Sequence, residues 1–248
     1  MTGVQTCALP TSYTLQFAKG TGSGSTSQLN ILAAGQPNLR TLTNLNDDSR
    51  HNIAINFDYR FESGVNYDGP KTEKVKIVDG QEKSKTIEWL ANTGASLRFI
   101  AASGTPYTRS STPYSTIVSG TSSRLAGTIN GSNKPWNFVC DLRIDKTFIF
   151  NFNKNKKDEN GKAKSAKFGS LTVYVDIQNL FNFKNVISVY DYTGNPDDDG
   201  YLSAAAYQQQ INSQVYVPSY TWYYTMMVQN PYNYSRPIHA SLGIIFGF

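Results

Sequence analysis

The chain has 248 residues, enough for one large folded unit or two small ones, and its 16 Tyr and 13 Phe favour strands over helices. Its net charge of +5 does not indicate nucleic-acid binding, because most lysines fall in two stretches, 71–85 and 154–167, among acidic and small polar residues. No apolar run reaches the roughly 18 residues that a membrane helix needs, although alternating strands escape that test.

The first ten residues, MTGVQTCALP, resemble the translation of a common sequencing-library adapter. We therefore expect residues 1–10 to be foreign and residues 11–248 to be the biological part, with the gene continuing upstream of Thr11. On this interpretation Cys7 is not a natural cysteine, and Cys140 is expected to be a buried thiol.

Six segments are predicted to be β-strands, and four of them alternate apolar and polar residues with a clean period of two, whereas 12–18 and 95–102 are weaker candidates. In chain order the six segments are residues 12–18, 52–61, 95–102, 138–150, 171–177 and 238–248. The clearest is 52–61, where Ile53, Ile55, Phe57 and Tyr59 share one face. The pattern predicts an all-β chain of antiparallel strands, each with one apolar face.

Charged residues of both signs follow one another on the polar faces of two of these segments. They are Asp58 and Arg60 in one segment, and Asp141, Arg143 and Asp145 in the other. We expect these charges to pair between adjacent strands across a water-filled lumen, and the alternative is the solvated outer face of a β-sandwich. Lys146 falls on the apolar face near a strand end, from which its long side chain can reach an interface.

The connections between the segments alternate in composition. Three connections are long and rich in Gly, Ser, Thr, Asn and Tyr, namely 19–49, 104–135 and 184–236. The other two, 63–92 and 151–167, are rich in Lys. Strands that run up and down in turn place the long connections at one end of the sheet and the Lys-rich ones at the other. A short helix is expected within 203–213. No helix of greater length is expected anywhere in the chain.

A series of short stretches resembles, in order and spacing, the C-terminal barrel of TonB-dependent outer-membrane receptors, especially the SusC-like group with a carboxypeptidase-regulatory-type N-terminal domain. The stretches are DSRH at 48–51 with DYRF at 58–61, SGTPYT at 103–108, NG at 130–131 with KPW at 134–136, DLRIDK at 141–146, QNLFN at 178–182, TG at 193–194, DDDGYL at 197–202 and NPYNY at 230–234. Together they span nearly all of 11–248.

The resemblance implies a partial antiparallel transmembrane β-barrel, with these six strands as part of a plugged barrel of about 22 strands in the bacterial outer membrane. The three long connections would be extracellular loops and the Lys-rich ones periplasmic, although 63–92 is long for a periplasmic turn. The implied partners are outer-membrane lipid, the barrel-assembly machinery, and TonB acting through an N-terminal part outside this sequence. The resemblance also allows a surface lipoprotein lid.

The last residue of the sequence, Phe248, is preceded by apolar residues at every second position back to Ile238. This pattern resembles the recognition signal of outer-membrane barrel assembly, in which an edge strand pairs with the assembly machinery before the barrel closes. Phe248 is therefore the predicted assembly signal, and an ordinary sheet strand that ends in Phe is the alternative.

Aromatic residues are concentrated in 216–234, within the last long connection. The candidate substrate-binding residues are Tyr220, Trp222, Tyr223 and Tyr224, because aromatic rings on an extracellular loop can stack against sugar rings or hold a peptide. Packing of the loop against itself and a place in an outer aromatic girdle are the alternatives.

The stretch NPDDDG at 195–200 suits the start of a Ca²⁺ loop, with candidate ligands Asn195, Asp197 and Asp199 at positions one, three and five. Ala206 stands at the twelfth position, where an EF-hand has a bidentate Glu, so the stretch is not an EF-hand. A turn held by Asp and Gly is the default interpretation. No other cofactor is expected.

Catalysis is not expected, because the sequence has two histidines, no GxSxG motif and no metal-ligand cluster. His51 stands beside Arg50 at a strand start, and His239 falls on the presumed lumen face. We predict the C-terminal barrel portion of a TonB-dependent transporter for a large ligand, with an oligosaccharide favoured and a peptide or metal chelate as alternatives. A passive outer-membrane pore and a soluble β-sandwich module for carbohydrate binding or adhesion are the other two classes.

Overall fold

The structure is a computed structural model that describes residues 7–24, 26–27, 29, 41–78, 81–115, 117–118, 124–151 and 168–248. Its strands are β1 (Cys7–Ala8), β2 (Thr11–Leu15), β3 (Lys19–Gly20), β4 (Thr43–Asn44), β5 (His51–Phe61), β6 (Lys71–Val78), β7 (Gln81–Glu88), β8 (Thr93–Ala102), β9 (Pro106–Tyr107), β10 (Ser132–Asn133), β11 (Asn137–Asn151), β12 (Phe168–Gln178) and β13 (His239–Gly247). Its α-helices are α1 (Gln208–Asn212) and α2 (Val217–Val228), and its 3-10 turns are Gly64–Asn66, Ala205–Tyr207 and Pro231–Asn233.

The main sheet contains all six of the predicted strands, so the all-β expectation is confirmed. Its order is β1 and β2 beside β5, then β8, β11, β12 and β13, and every pairing is antiparallel. β2 ends at Leu15, earlier than the predicted Ala18. β1, which falls within the segment predicted to be foreign, pairs with the same edge of β5, where Cys7 lies opposite Tyr59.

The register of the sheet aligns the apolar faces of neighbouring strands. One continuous row runs through Phe57, Leu97, Leu142, Ile177 and Ala240. Because side chains alternate between faces, the residues between these positions lie on the opposite, polar face. One side of the sheet is therefore apolar from β5 to β13, and the other side is polar.

The apolar face is exposed, since no described residues cover it. Leu242 is 72% exposed and Ile244 is 66% exposed, and Ile144 and Phe148 are also exposed. No described strand joins β13 to β1 or β2, so the sheet is open at both edges. The described part of the chain is thus a sheet with one uncovered apolar side and no closed barrel.

Aromatic residues line both ends of the apolar face. At one end a series of rings lies with neighbouring centroids 5.7–6.4 Å apart. This loop-side aromatic row consists of Tyr13, His51, Trp136, Phe138, Phe183 and Phe181. The hairpin-side aromatic row at the other end consists of Tyr59, Phe61, Tyr67, Phe148, Phe150, Phe246 and Phe248. Mainly aliphatic side chains, together with Phe57 and Phe99, fill the band between the two rows.

The connections at the two ends of the sheet differ in structure. The Lys-rich connection 63–92, predicted as a turn, forms a separate hairpin of β6 and β7. At the opposite end the long connections contact one another, and Asn130 Nδ2 donates to the Asn44 carbonyl oxygen at 2.8 Å. The second Lys-rich connection falls at 152–167, outside the described residues. The expected separation of long and Lys-rich connections is therefore confirmed as far as the described chain extends.

The buried hydrophobic cluster of the described residues lies in the connection 184–236, which we call the loop cap, whereas Ala101 and Cys140 are the buried apolar residues of the main sheet. The core of the cap consists of Tyr201, Ile211, Tyr224 and Val228. The short helix predicted within 203–213 is confirmed by α1. The longer α2 contradicts the expectation that no further helix forms. Neither helix in the described residues has the length and apolar character needed to cross a membrane.

Candidate functional site

The polar face of the sheet carries one ion pair that spans three strands. Arg60 donates from both terminal guanidinium nitrogens to the two carboxylate oxygens of Asp145, each at 3.1 Å. β5 and β11 are not neighbours, because β8 lies between them and places Gly94 directly under the pair. A Cβ on Gly94 would lie 2.6 Å from Arg60 Nη2 and 2.8 Å from Asp145 Oδ1. We call this contact the transverse ion pair.

The predicted pairing of charges between adjacent strands is thus wrong in detail, since the partners lie one strand further apart. A second glycine has the same effect in the same row of the sheet. The Tyr174 ring lies across Gly243, where a Cβ would approach the ring to 2.2 Å. The Arg143 guanidinium lies 4.2 Å from the centre of the Tyr174 ring, within cation–π range. Both glycines allow long side chains to lie flat over the sheet.

A concavity of about 260 Å³ opens on this polar face beside the transverse ion pair. It is lined by Ser96, Arg98, Asp141, Arg143, Asp176 and Gln178. Among the described residues neither Arg98 nor Asp176 has an ion-pair partner within 4.0 Å. Charges that face an open concavity without partners are available to hydrogen-bond donors and acceptors of a ligand or of another polypeptide segment.

A second concavity of about 390 Å³ continues from the first toward the loop cap, since both include Asp141 and Gln178. His239 lines it, as its predicted place on the polar face implies, together with Arg236. Asn179 also lines it. Together the two concavities form one surface that runs from the middle of the sheet, where it is polar, to the base of the loop cap, where Val139, Pro237 and Ile238 make it more apolar.

The asparagines of the QNLFN stretch fix the loop cap to the end of the sheet. Asn179 has φ +53° and Asn182 has φ +52°, a left-handed conformation that Asn tolerates better than most residues. Asn179 Nδ2 donates to the carbonyl oxygens of Phe183 and Arg236, and its backbone N–H donates to Asp141 Oδ1 at 3.0 Å. These bonds tie the turn after β12 to β11 and to the segment before β13.

Tyrosine–aspartate hydrogen bonds stabilise the loop cap internally, through Tyr224, and join it to the connection 104–135, through Tyr114. Tyr224 donates its hydroxyl to the buried carboxylate of Asp199. Burial is the larger cause, and this hydrogen bond the second, that raises the pKa of the Tyr224 hydroxyl far above 10. Tyr114 donates to Asp191 at 3.0 Å, and burial together with that bond raises the pKa of Tyr114 to about 12. The neutral phenol is therefore the form that the folded cap stabilises.

The four predicted substrate-binding aromatics fall on two faces of α2. Tyr220 and Tyr224 point into the cap core, where Tyr224 stacks on Tyr201 with ring centres 4.9 Å apart. Trp222 and Tyr223 point outward and are 59% and 60% exposed, with their rings 5.0 Å apart in an edge-to-face arrangement. The structure therefore leaves Trp222 and Tyr223 accessible to a ligand and places the other two in packing.

Two methionines that the sequence reasoning missed share the exposed face of α2. Met226 and Met227 lie one turn beyond Trp222 and Tyr223 and are similarly exposed. The recurrence of large apolar residues at positions 222, 223, 226 and 227 is the signal that could have found them. Residues 201–235 also contain no charged residue. The outer surface of residues 201–235 is therefore uncharged and rich in aromatic, thioether and amide groups.

The three candidate calcium ligands are each engaged within the protein. Asn195 Oδ1 accepts from the backbone N–H of Asp197 at 2.9 Å, and Asp197 accepts from the Tyr234 hydroxyl. Asp199 Oδ1 accepts from the backbone N–H of Tyr201 at 3.0 Å. The described residues contain no group of three or more His, Cys, Asp or Glu arranged to hold a metal ion. The observed contacts are those of a turn held by its own side chains.

The remaining singled-out residues lie at the two ends of the apolar face. His51 lies between Tyr13 and Trp136 in the loop-side row, and its Nδ1 is 2.8 Å from the Tyr13 hydroxyl. That place suits the structural or rim role expected for it. Phe248 is fully exposed in the hairpin-side row, 6.0 Å from the Phe246 ring. Its role as an assembly signal stays a prediction.

Comparison of the chain with protein-family models, with curated proteins and with solved structures gives no match. The fold and the arrangement of side chains are therefore the basis for a functional proposal.

Proposed function

We propose that this chain forms part of the wall of an outer-membrane β-barrel, with its apolar face against lipid. The observation that carries the proposal is the uncovered apolar band between two aromatic rows. A soluble sheet of this size would bury such a face, because exposing large apolar areas to water is unfavourable. Transmembrane barrels have the same pattern on their lipid side, where aromatic girdles flank an apolar band.

The height of the band supports this proposal. At about 3.3 Å per residue, β11 rises roughly 33 Å between Phe138 and Phe148. A strand tilt of about 40° reduces this to roughly 25 Å, which is the height of the apolar band of outer-membrane barrels. Lys146 is the charged residue on the apolar face of this stretch, and its Nζ donates to the carbonyl oxygens of Trp89 and Ala91 at 2.9 Å and 2.6 Å. Its charge is thereby directed to the hairpin end and out of the band.

The polar face then lines the interior. The transverse ion pair, the unpartnered Arg98 and Asp176, and the two connected concavities suit a wet lumen more than a dry core, because unpaired charges are costly away from water. The loop cap covers one end of this face. In this orientation the cap is extracellular, and the β6–β7 hairpin is periplasmic.

We further propose that the parent protein is a TonB-dependent transporter, with an oligosaccharide as the favoured ligand and a peptide or metal chelate as alternatives. The sequence resemblance supplies the transport mechanism, in which an N-terminal plug coupled to TonB opens the lumen. The uncharged outer surface of residues 201–235 favours a neutral ligand, since Trp222 and Tyr223 can stack on sugar rings while nearby amides bind hydroxyl groups.

The test is uptake of labelled neutral oligosaccharides, peptides and metal chelates by cells that carry or lack the parent gene, each with and without functional TonB. A transporter requires both the gene and TonB for at least one of these ligands. Uptake that needs the gene but not TonB would instead identify a passive pore. Loss of the gene without effect on any of the ligands contradicts the transporter proposal.

A paired substitution links that uptake to the loop cap. Replacing Trp222 and Tyr223 together by alanine is expected to lower uptake, because stacking surface is lost while the cap core is untouched. Tyr232→Ala is the matched control, since Tyr232 is also exposed in the cap but lies outside α2. Equal uptake by both variants would show that Trp222 and Tyr223 do not contribute to ligand binding.

A further inference from the structure

A third concavity, of about 700 Å³, lies at the edge of the loop cap, between the turn after β12 and the segment before β13. This volume falls within the range of about 300–1,000 Å³ that is typical of ligand sites. Among the described residues that line it, none belongs to the polar face of the sheet. We call it the cap-edge pocket, and its walls include Phe183, Lys184, Asp197, Pro231, Tyr234 and Pro237.

The cap-edge pocket borders the loop-side aromatic row. Phe183 belongs to that row, and its ring lies 5.8 Å from the Phe138 ring and 5.7 Å from the Phe181 ring. The Ile238 backbone N–H donates to Asn182 Oδ1 at 3.0 Å, which fixes the turn after β12 to the start of β13. One wall of the pocket is therefore held at the level of the aromatic rings.

Two opposite charges flank a single tyrosine ring in this pocket. Lys184 Nζ lies 4.0 Å from the centre of the Tyr234 ring, and the Tyr234 hydroxyl donates to Asp197 Oδ2. Within the described part of the chain, neither Lys184 nor Asp197 has an ion-pair partner within 4.0 Å. An ammonium group has more donors, and a carboxylate more acceptor sites, than these contacts use. Both charges can therefore bind a ligand without losing an ion pair.

A ligand with only negative charge would meet Asp197, and one with only positive charge would meet Lys184, so a group that carries both charges fits best. We propose that the cap-edge pocket binds the headgroup of a phosphoethanolamine lipid, with its phosphate on Lys184 and its ammonium group on Asp197. The inference rests on the proposed membrane location of the sheet, because aromatic rows lie at headgroup level in membrane barrels. A membrane lipid is favoured over a soluble zwitterion because Phe183, Pro231 and Pro237 supply apolar walls at that level.

The experiment uses the parent protein in a polyoxyethylene detergent, mixed with equal amounts of phosphatidylethanolamine, phosphatidylglycerol and phosphatidylcholine. Native mass spectrometry measures how much of each lipid the protein retains. The variants are Lys184→Met and Asp197→Asn, and the second keeps an oxygen that accepts from the Tyr234 hydroxyl. The matched controls, Lys19→Met and Asp198→Asn, remove the same charges from exposed positions outside the pocket.

The proposal predicts that the original protein binds phosphatidylethanolamine about tenfold more tightly than the other two lipids, because neither of them has an ammonium N–H for Asp197. Asp197→Asn is expected to remove the preference over phosphatidylglycerol. Lys184→Met is expected to weaken binding of both phosphatidylethanolamine and phosphatidylglycerol by about tenfold. An unchanged preference in Asp197→Asn, or the same losses in the controls, overturns the proposal. Circular dichroism checks that every variant keeps its strands.

Further arms separate a lipid headgroup from other ligands and from failure of the membrane location itself. Soluble phosphoethanolamine or maltohexaose in excess should not displace the lipid, and efficient displacement by either would overturn the lipid proposal in favour of that ligand. Equal retention of all three lipids by the original protein would overturn the pocket proposal and leave the membrane wall standing. Retention of phosphatidylethanolamine alone would support the pocket and contradict a lipid-covered apolar face.

Discussion

Replacing Leu242 by lysine separates a lipid-facing sheet from a water-facing one. Leu242 lies near the middle of β13 and is 72% exposed, so in water a lysine there loses no packing and is expected to change stability by no more than about 0.5 kcal/mol. Against lipid the same lysine costs about 2–4 kcal/mol near the bilayer midplane. That corresponds to about a 30- to 700-fold change in the folding equilibrium.

The assay is urea unfolding of the parent protein in phospholipid bilayers, followed by tryptophan fluorescence. Ser241→Lys is the matched control, because Ser241 is the neighbouring residue, is also exposed and lies on the polar face opposite Asp176. We expect Leu242→Lys to be destabilised by about 2–4 kcal/mol and Ser241→Lys to resemble the original protein. Equal stability of both variants would refute the assignment of the apolar face to lipid.

Other predictions concern single contacts. Tyr224→Phe removes the hydroxyl that donates to the buried Asp199 and is expected to destabilise the cap by about 1–3 kcal/mol, measured by hydrogen exchange, whereas Tyr223→Phe should be neutral. Because the pKa of Tyr114 is raised to about 12 in the folded protein, the neutral phenol stabilises the fold fully below about pH 10. That stabilisation is lost as the pH rises to 12. Tyrosinate absorbance should therefore rise later in the folded protein than in denaturant, and coincident curves would contradict the burial. Gly94→Val should abolish the coupling energy of the transverse ion pair, about 1 kcal/mol or less at this partly exposed site, in a double-mutant cycle; persisting coupling would show that the glycine is not required.

The sheet could be predicted from the sequence because alternation has a direct physical cause. Period-two patterns in 52–61 and 138–150 encode which side chains share a face, and the register of β5, β8 and β11 follows them. The order of strands also followed from their order in the chain, since successive antiparallel strands usually pair. The pairing of charges could not be predicted from the sequence. Gly94 allows a contact across an intervening strand, and the residue pattern of a single strand does not reveal such a contact.

Apart from its short helix α1, the loop cap could be predicted only in composition. The aromatic residues of α2 favour strands by propensity, and no side chain caps the start of the helix. Its helical form depends on packing of Tyr220, Tyr224 and Val228 against Tyr201, a contact between distant parts of the cap. Tertiary packing of this kind overrides local propensity, so the split of the aromatic residues between two faces required the structure.

The β6–β7 hairpin was missed for a different reason. Its eight-residue strands are dominated by Lys, Glu and Thr, which hides the alternation that marks a strand with one buried face. The Asp79-Gly80 dipeptide between them is the sequence signal typical of a hairpin connection. Reading that dipeptide together with the charge pattern would have predicted the hairpin.

Cysteine labelling in isolated outer membranes tests the central claim most directly. Ile144→Cys and Arg143→Cys introduce thiols at neighbouring positions of β11, one on the apolar face and one on the polar face, and both side chains are exposed in the isolated sheet. A water-soluble maleimide is expected to label the thiol at position 143 and not the one at position 144 when the parent protein is in its membrane. The original protein, with Cys140 buried, gives the background. Equal labelling at both positions would show that water reaches the apolar face and would contradict its place against lipid.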